Sequence, residues 1–198
     1  KIQATVIQAD AGALLTTGRG FLDFAAEFDL PFLFHSSVIA TDPWSEAGLL
    51  RRVGEATPHV RVCLAHSCRF DRGYLDRVAE LPNTWFDCSA HRIHCQGVVR
   101  EMPFVAPPAR RFAADYRDPS AVLAALAAAY PGKLIWGSDT PFESFVAKEN
   151  GAVFALRATY AEEVACLRAL PAATQQVVAH DNLCALLRLK DESILARA

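Results

Sequence analysis

Short apolar runs rich in β-branched and aromatic residues alternate along this chain with stretches whose apolar positions recur every three to four residues. That alternation predicts strand, helix, strand, helix. Ile2 to Val6 is the first predicted strand, followed by a helix in which Phe21, Leu22, Ala25 and Phe28 share a face. Pro31 to Phe34 is apolar on both faces, as a strand covered on both sides of a parallel sheet should be, and it ends at His35. Asp42-Pro43 predicts an N-cap with proline at the first helical position, ahead of a helix burying Leu49, Leu50 and Val53. A third strand, Val60 to Ala65, ends at His66, and Asp71 caps a helix burying Tyr74, Leu75 and Val78. The fourth strand is Thr84 to Cys88. From Ser89 to Arg117 no clean period survives, which predicts a long functional loop. Asp118-Pro119 restarts a helix running to Tyr130, and the fifth strand, Lys133 to Trp136, runs into Gly137-Ser138-Asp139. Helices across Leu156 to Leu170 and Thr174 to Leu189 close the chain, which shows no linker or repeat and is expected to be a single domain over residues 1–198.

Five strand–helix units fit two architectures. A closed (β/α)8 TIM barrel of about 250 residues has eight units of roughly 30 residues, so about three would have to precede Lys1. An open doubly wound sheet needs no further units. Composition narrows the function rather than the fold. With 52% hydrophobic and 21% charged residues, the chain has the makings of a globular core. A net charge of -2 without a Lys/Arg cluster gives no footprint for nucleic acid or an anionic membrane, which leaves a small-molecule substrate as the expected partner. Ala121 to Tyr130, the longest apolar stretch, is too short to span a bilayer. The chain starts with Lys1 rather than Met and shows no signal peptide. Six cysteines without a Cys-x-x-Cys pair are expected to be passive thiols of a cytoplasmic protein.

Parallel α/β proteins place their chemistry at the carboxyl ends of strands, and three strands here end at His35, His66 and Asp139. Neutral imidazoles and a carboxylate converging from different strands are what a hydrolytic metal centre requires.

The wording around these residues is more specific than their types. Leu30-Pro31-Phe32-Leu33-Phe34-His35, Val62-Cys63-Leu64-Ala65-His66, Asn83-Thr84-Trp85-Phe86-Asp87-Cys88-Ser89 and Leu134-Ile135-Trp136-Gly137-Ser138-Asp139-Thr140-Pro141 resemble successive core motifs of the metal-dependent amidohydrolase superfamily. The resemblance is greatest to the amidohydrolase-related group that includes aminocarboxymuconate semialdehyde decarboxylase-like enzymes. Val177 to Leu187, with Asn182 ahead of a Leu-rich end, is similar to its closing helix. The resemblance implies a distorted (β/α)8 barrel whose fifth, sixth and eighth strands end at His35, His66 and Asp139, this chain supplying the last five units. It further implies His35 as a metal ligand and Asp139 as ligand and base. His66 is either a ligand or an acid/base. The implied cofactor is a divalent metal, zinc or alternatively manganese, and dimers are common in the group, so a homodimer fits. One departure stands out: the family's first-strand His-x-His pair occurs nowhere in the chain. Either the first three strands precede Lys1, the favoured reading, or this is a relative that has lost its metal.

Other residues have weaker claims. Arg69 could face a substrate carboxylate or be a solvated helix-entry residue. His91, Arg92 and His94 could line the mouth or be loop polarity, while Trp44 and Trp136 either wall the pocket or pack. Ser36 and Ser67 adjoin the ligands and are placed to orient them. His59 is expected at the surface and His180 in a structural role. The expected function is metal-dependent hydrolysis of an amide, lactone or related carbonyl, with Arg69, His91 and Trp44 binding substrate. The alternatives are decarboxylation or hydration of an aromatic or unsaturated acid, and a non-catalytic barrel relative.

Overall fold

A computed structural model describes residues 1–40, 42–149 and 152–189. Four short parallel strands form the central sheet: β1 (Phe32–Phe34), β2 (Val62–Leu64), β3 (Thr84–Asp87) and β4 (Leu134–Ile135), neighbouring one another in chain order. Phe34 stands opposite Leu64, which stands opposite Phe86, so adjacent strands end at one level. A sheet that grows in one direction without a switch point is the order of a barrel wall rather than of a doubly wound sheet.

The two faces of the sheet bury different clusters. Phe34, Val62, Leu64, Phe86 and Leu134 join the main core with helix residues Leu22, Leu50, Val53, Leu75 and Leu126. On the opposite face Cys63, Trp85 and Ile135 meet Leu183 and Leu186. Burial on both faces accounts for the continuous apolar strands.

The surrounding helices are α1 (Ala4–Ile7), α2 (Arg19–Glu27), α3 (Ala47–Ala56), α4 (Arg72–Glu80), α5 (His91–Val99), α6 (Pro119–Ala129), α7 (Tyr160–Arg168), α8 (Ala172–Gln176) and α9 (Asn182–Leu187). Asp71 caps α4 by accepting the Tyr74 N–H at 3.2 Å, and Asp118 caps α6 by accepting that of Ala121 at 3.1 Å. Asn182 donates to the Leu134 carbonyl at 2.7 Å, tying the closing helix to β4.

Four expectations about elements are corrected. Only Ile2 of the first predicted strand pairs, in a single parallel bridge with Phe34, and Ala4–Ile7 forms a helical turn that buries Ala4. α3 begins at Ala47 rather than after Asp42. Glu46 is its cap, accepting from Gly48 and Leu49 at 2.9 Å, while Asp42 accepts from Ser45. The predicted loop after β3 holds α5, whose polar-looking sequence buries His91, Ile93, His94, Cys95 and Val98. The predicted helix from Leu156 begins instead at Tyr160, because Leu156 ends an antiparallel hairpin, β5 (Phe145–Glu149) with β6 (Ala152–Leu156). Asn150-Gly151 between alternating apolar residues is the sequence signal for that hairpin.

All six cysteines are free thiols, five of them buried. Among the described residues no helix is long and apolar enough to cross a membrane.

Candidate active site

The strand ends open onto a cavity of about 390 Å³. Lys1, Gln3, His35, His66, Arg69, His94 and Asp139 are among its polar lining, and Ile39, Ile93, Phe104, Phe142, Phe145 and Leu156 among its apolar lining. His35 and His66 sit next to each other because β1 and β2 pair in parallel and end together. The turn after β2 is unusual: His66 to Phe70 all have φ between 47° and 65°. A left-handed turn of L-residues costs about 1–2 kcal/mol per residue, so it persists only where its surroundings over-determine it. All five residues are buried, and the turn aims both His66 and Arg69 into the cavity. Asp139, after β4, is also left-handed at φ 64°.

One continuous hydrogen-bonded chain orders these groups and assigns their protons. His66 Nδ1 lies 3.0 Å from the Ser89 carbonyl, which can only accept, so Nδ1 carries the proton. The Ser89 hydroxyl, also 3.0 Å from that nitrogen, donates to Asp87. His66 Nε2 is therefore free to accept from His35 Nδ1 at 3.0 Å, and His35 Nε2 accepts from Arg69 Nη2 at 3.0 Å. His94 obeys the same logic: Nδ1 donates to the Ala90 carbonyl at 2.7 Å, and Nε2 accepts from Arg69 Nη1. Every imidazole in the chain of bonds is neutral. Burial, reinforced by the Arg69 charge, pushes His35 down to about 4 and holds His66 and His94 well below the usual histidine range.

Arg69 is the cation of the cavity. Burial draws it down to about 10, against the attraction of Asp139, Asp42 and Asp87, so it remains charged at neutral pH. Three of its five N–H donors meet neutral acceptors: the Ser36 carbonyl at 2.8 Å, His35 and His94. Asp139 is 3.3 Å from Lys1 Nζ. Burial raises the Asp87 carboxyl, and hydrogen bonds from Ser89 and from the His66 backbone N–H oppose that rise.

The structure thus brings His35, His66, Arg69 and Asp139 together on one cavity and leaves two expected residues out. His91 is the first residue of α5, its Nε2 donating to the Pro119 carbonyl at 2.8 Å; helical phase turns it inward while His94 takes the cavity. Trp44 is half-buried against the main core, away from the cavity, because the loop before α3 folds back onto Ala11. Trp136 packs near Tyr160, with ring centroids 6.3 Å apart. Ser36 orients Arg69 rather than a histidine, and Ser67 Oγ donates to the Asp87 carbonyl at 3.4 Å. His59 is exposed and His180 is paired with Asp181. Asp87 and Ser89, which fix the His66 tautomer, belong to the Asn83 to Ser89 motif, but their spacing alone could not show that they reach His66.

In kind, the neutral imidazoles of His35 and His66 and the carboxylate of Asp139 are donors suited to zinc or manganese. The facing histidine nitrogens are 3.0 Å apart. Among the described residues no three His, Cys, Asp or Glu side chains lie close enough to hold one ion, so the chain contributes donors rather than a closed set.

Comparison with known proteins agrees with this architecture. Residues 6–189 match the amidohydrolase family. Among solved structures, dihydroorotase from Campylobacter jejuni is 15% identical with a TM-score of 0.54, over 87% of this chain and 52% of that one. An amidohydrolase from Burkholderia multivorans with bound HEPES is 17% identical with a TM-score of 0.53, over 87% and 61%. Amidohydrolase 2 from Bifidobacterium longum subsp. infantis is 16% identical with a TM-score of 0.51, over 85% and 54%. Curated proteins yield no match. The chain spans between about half and three-fifths of the length of these structures. Their fold is the (β/α)8 barrel, to which the ordered parallel sheet and strand-end cavity conform. With its family match extending over nearly its whole length, the chain belongs to the amidohydrolase family.

Proposed function

We propose that this chain supplies the carboxyl-terminal strand–helix units of a barrel enzyme of the amidohydrolase-related group, four strands with Ile2 bridged at their edge, and that the enzyme hydrolyses an amide, lactone or related carbonyl compound with a divalent metal. The observation that carries this reading is the meeting of His35, His66, Arg69 and Asp139 in one cavity at the strand ends. His35 and Asp139 would hold the metal, zinc or manganese, and His66 would serve as a further ligand or as an acid/base. When bound, the metal polarises the carbonyl and lowers the pKa of water.

The chain's own residues handle position and protons. The Asp139 carboxylate takes a proton from the attacking water as its oxygen bonds to the carbonyl carbon. That proton passes to the departing nitrogen or oxygen as the carbon–heteroatom bond breaks. His66, with its proton fixed on Nδ1 by the Ser89 carbonyl, keeps Nε2 unprotonated; that lone pair accepts from His35 Nδ1 and would take up a proton once His35 turns to the metal. Arg69 offers a charged, planar fork to a substrate carboxylate.

A second reading has a specific observation in its favour. A buried guanidinium whose hydrogen bonds among the described residues all go to neutral acceptors, in a cavity also lined by Ile93, Phe104 and Phe142, suits an acid with an apolar body, as a decarboxylase of an aromatic or unsaturated acid would require. The test is turnover of carboxylate-bearing lactones, cyclic amides and aromatic acids with zinc or manganese. Ring opening or amide cleavage supports hydrolysis, and carbon dioxide release transfers the assignment to the lyase. Full activity in either His35→Ala or Asp139→Asn would end both readings.

A further inference from the structure

Helix α5 places Ile93 and His94 in the cavity, yet its own sequence provides no cap: Ala90 occupies the N-cap position and no flanking side chain accepts from the first turn. The acceptor arrives from α7. Glu163, 1% exposed, accepts the Arg92 backbone N–H at 3.0 Å through Oε1. Its Oε2 is buried with no hydrogen-bond partner among the described residues. The Arg92 guanidinium does not bond to it; Nη1 meets Cys166 Sγ at 3.8 Å and Nη2 meets Glu162 at 3.5 Å. A negative charge at a helix start is favoured by the helix dipole and strengthens the N–H bond, whereas a neutral carboxyl loses both effects.

We propose that Glu163 is a proton-responsive positioning residue, whose carboxyl holds the start of α5 and thereby sets His94 and the Arg69 guanidinium in the cavity. The link is short. The Ala90 carbonyl at the same helix start accepts from His94 Nδ1, and His94 Nε2 accepts from Arg69. A change in how the first turn is held therefore moves the pair that orients the cavity's cation.

The surroundings leave Glu163 as the group that changes charge near neutral pH. Burial raises its carboxyl to about 7, helped by Glu143 and Glu162 and opposed by Arg92 and its backbone N–H. Burial also pushes the Cys88 and Cys95 thiols up, keeping them protonated, and pushes His91 at the helix start down to about 4, keeping it neutral. Cys166 faces Arg92 from α7.

The test is a titration of side-chain resonances in the full chain from pH 5.5 to 8.5: 13C of Glu163, and 15N of His94 and Arg69. Glu163 is expected to titrate near 7, with the His94 and Arg69 signals shifting at the same midpoint. Glu163→Gln should keep the native backbone spectrum and lose the shared step. Flat His94 and Arg69 signals across the Glu163 titration would overturn the proposal, as would survival of the step in Glu163→Gln. Should that variant fail to fold, the wild-type titration decides alone. The proposal rests on the cavity placement of Arg69 and His94, not on the reaction, so a failed turnover assay would leave these shifts intact.

Discussion

The cavity is held from two sides by different means. On the strand-end rim, His35, His66 and Asp139 follow β1, β2 and β4, and paired strands that end together place the two histidines side by side. On the α5 wall, His94 and Ile93 depend on a helix whose start is secured by a carboxylate 71 residues further along the chain. The rim residues are free to be chosen for chemistry because the sheet carries the cost of placing them. The α5 wall couples its cavity residues to the stability of a helix–helix contact. Rim substitutions should therefore separate activity from stability, and substitutions behind α5 should not.

The largest expected effect lies on the rim. His35→Ala and Asp139→Asn should each lower the proposed metal-dependent turnover by about 10³-fold or more, about 4 kcal/mol of transition-state stabilisation. Urea unfolding should shift by no more than about 1 kcal/mol for Asp139→Asn, which removes no core packing, and by about 1–3 kcal/mol for His35→Ala, which leaves His66 Nε2 and Arg69 Nη2 without a partner. Comparable losses of both quantities would erase the distinction between the two sides.

Behind α5, Glu163→Ala should cost about 3 kcal/mol in chemical denaturation. It opens a cavity and leaves the Arg92 N–H without its acceptor.

The pH dependence of stability sharpens the same contrast. His35 and His91 are pushed down to about 4, and His66 and His94 are also lowered. Their contribution is present above the unfolded value of about 6.5 and is lost as pH falls toward 4. Glu163 has the opposite sign: its folded value of about 7 exceeds the ordinary 4.5, so its contribution is present at low pH and is lost as pH rises through 7. The wild type should therefore lose stability on acidification below pH 6.5. Glu163→Gln should lose it more steeply, by up to about 1.4 kcal/mol per pH unit between pH 4.5 and 7. Equal slopes in urea titrations of the two proteins would remove Glu163 from the balance.

The smallest expected effect concerns a helix that caps itself. Asp118→Ala should cost about 1 kcal/mol through loss of the bond to the Ala121 N–H, measured by the same unfolding assay. Its effect on ligand affinity should be nil, since α6 lines no part of the cavity.

The elements legible in the sequence were those whose determinants are local. Asp71 and Asp118-Pro119 mark the starts of α4 and α6, and the runs at 31–34, 60–65, 84–88 and 133–136 contain the four shorter strands. Where a determinant was remote, the pattern misled. Without an N-cap of its own and with histidines on both faces, α5 looked like loop. Thr5-Val6 looked like strand, but after Ile2 the chain leaves the sheet for a helical turn. The hairpin differed in kind, since Asn150-Gly151 is a local signal that periodicity alone passed over.

The candidate site divides along the same line. His35, His66 and Asp139 were visible from sequence because a strand end has a fixed direction in a parallel α/β fold, and the Gly-Ser-Asp-x-Pro wording specified the family. Only the folded chain decided that Arg69 turns inward through a left-handed turn to bridge His35 and His94, and that His91 and Trp44 face elsewhere. It also decided that Ser89 and Asp87 set the proton on His66 and that Glu163 caps α5. The physical reason is range: caps, turns and strand periodicity are settled within a few residues, whereas burial, tautomer and charge depend on which distant groups packing brings within about 3 Å of one another.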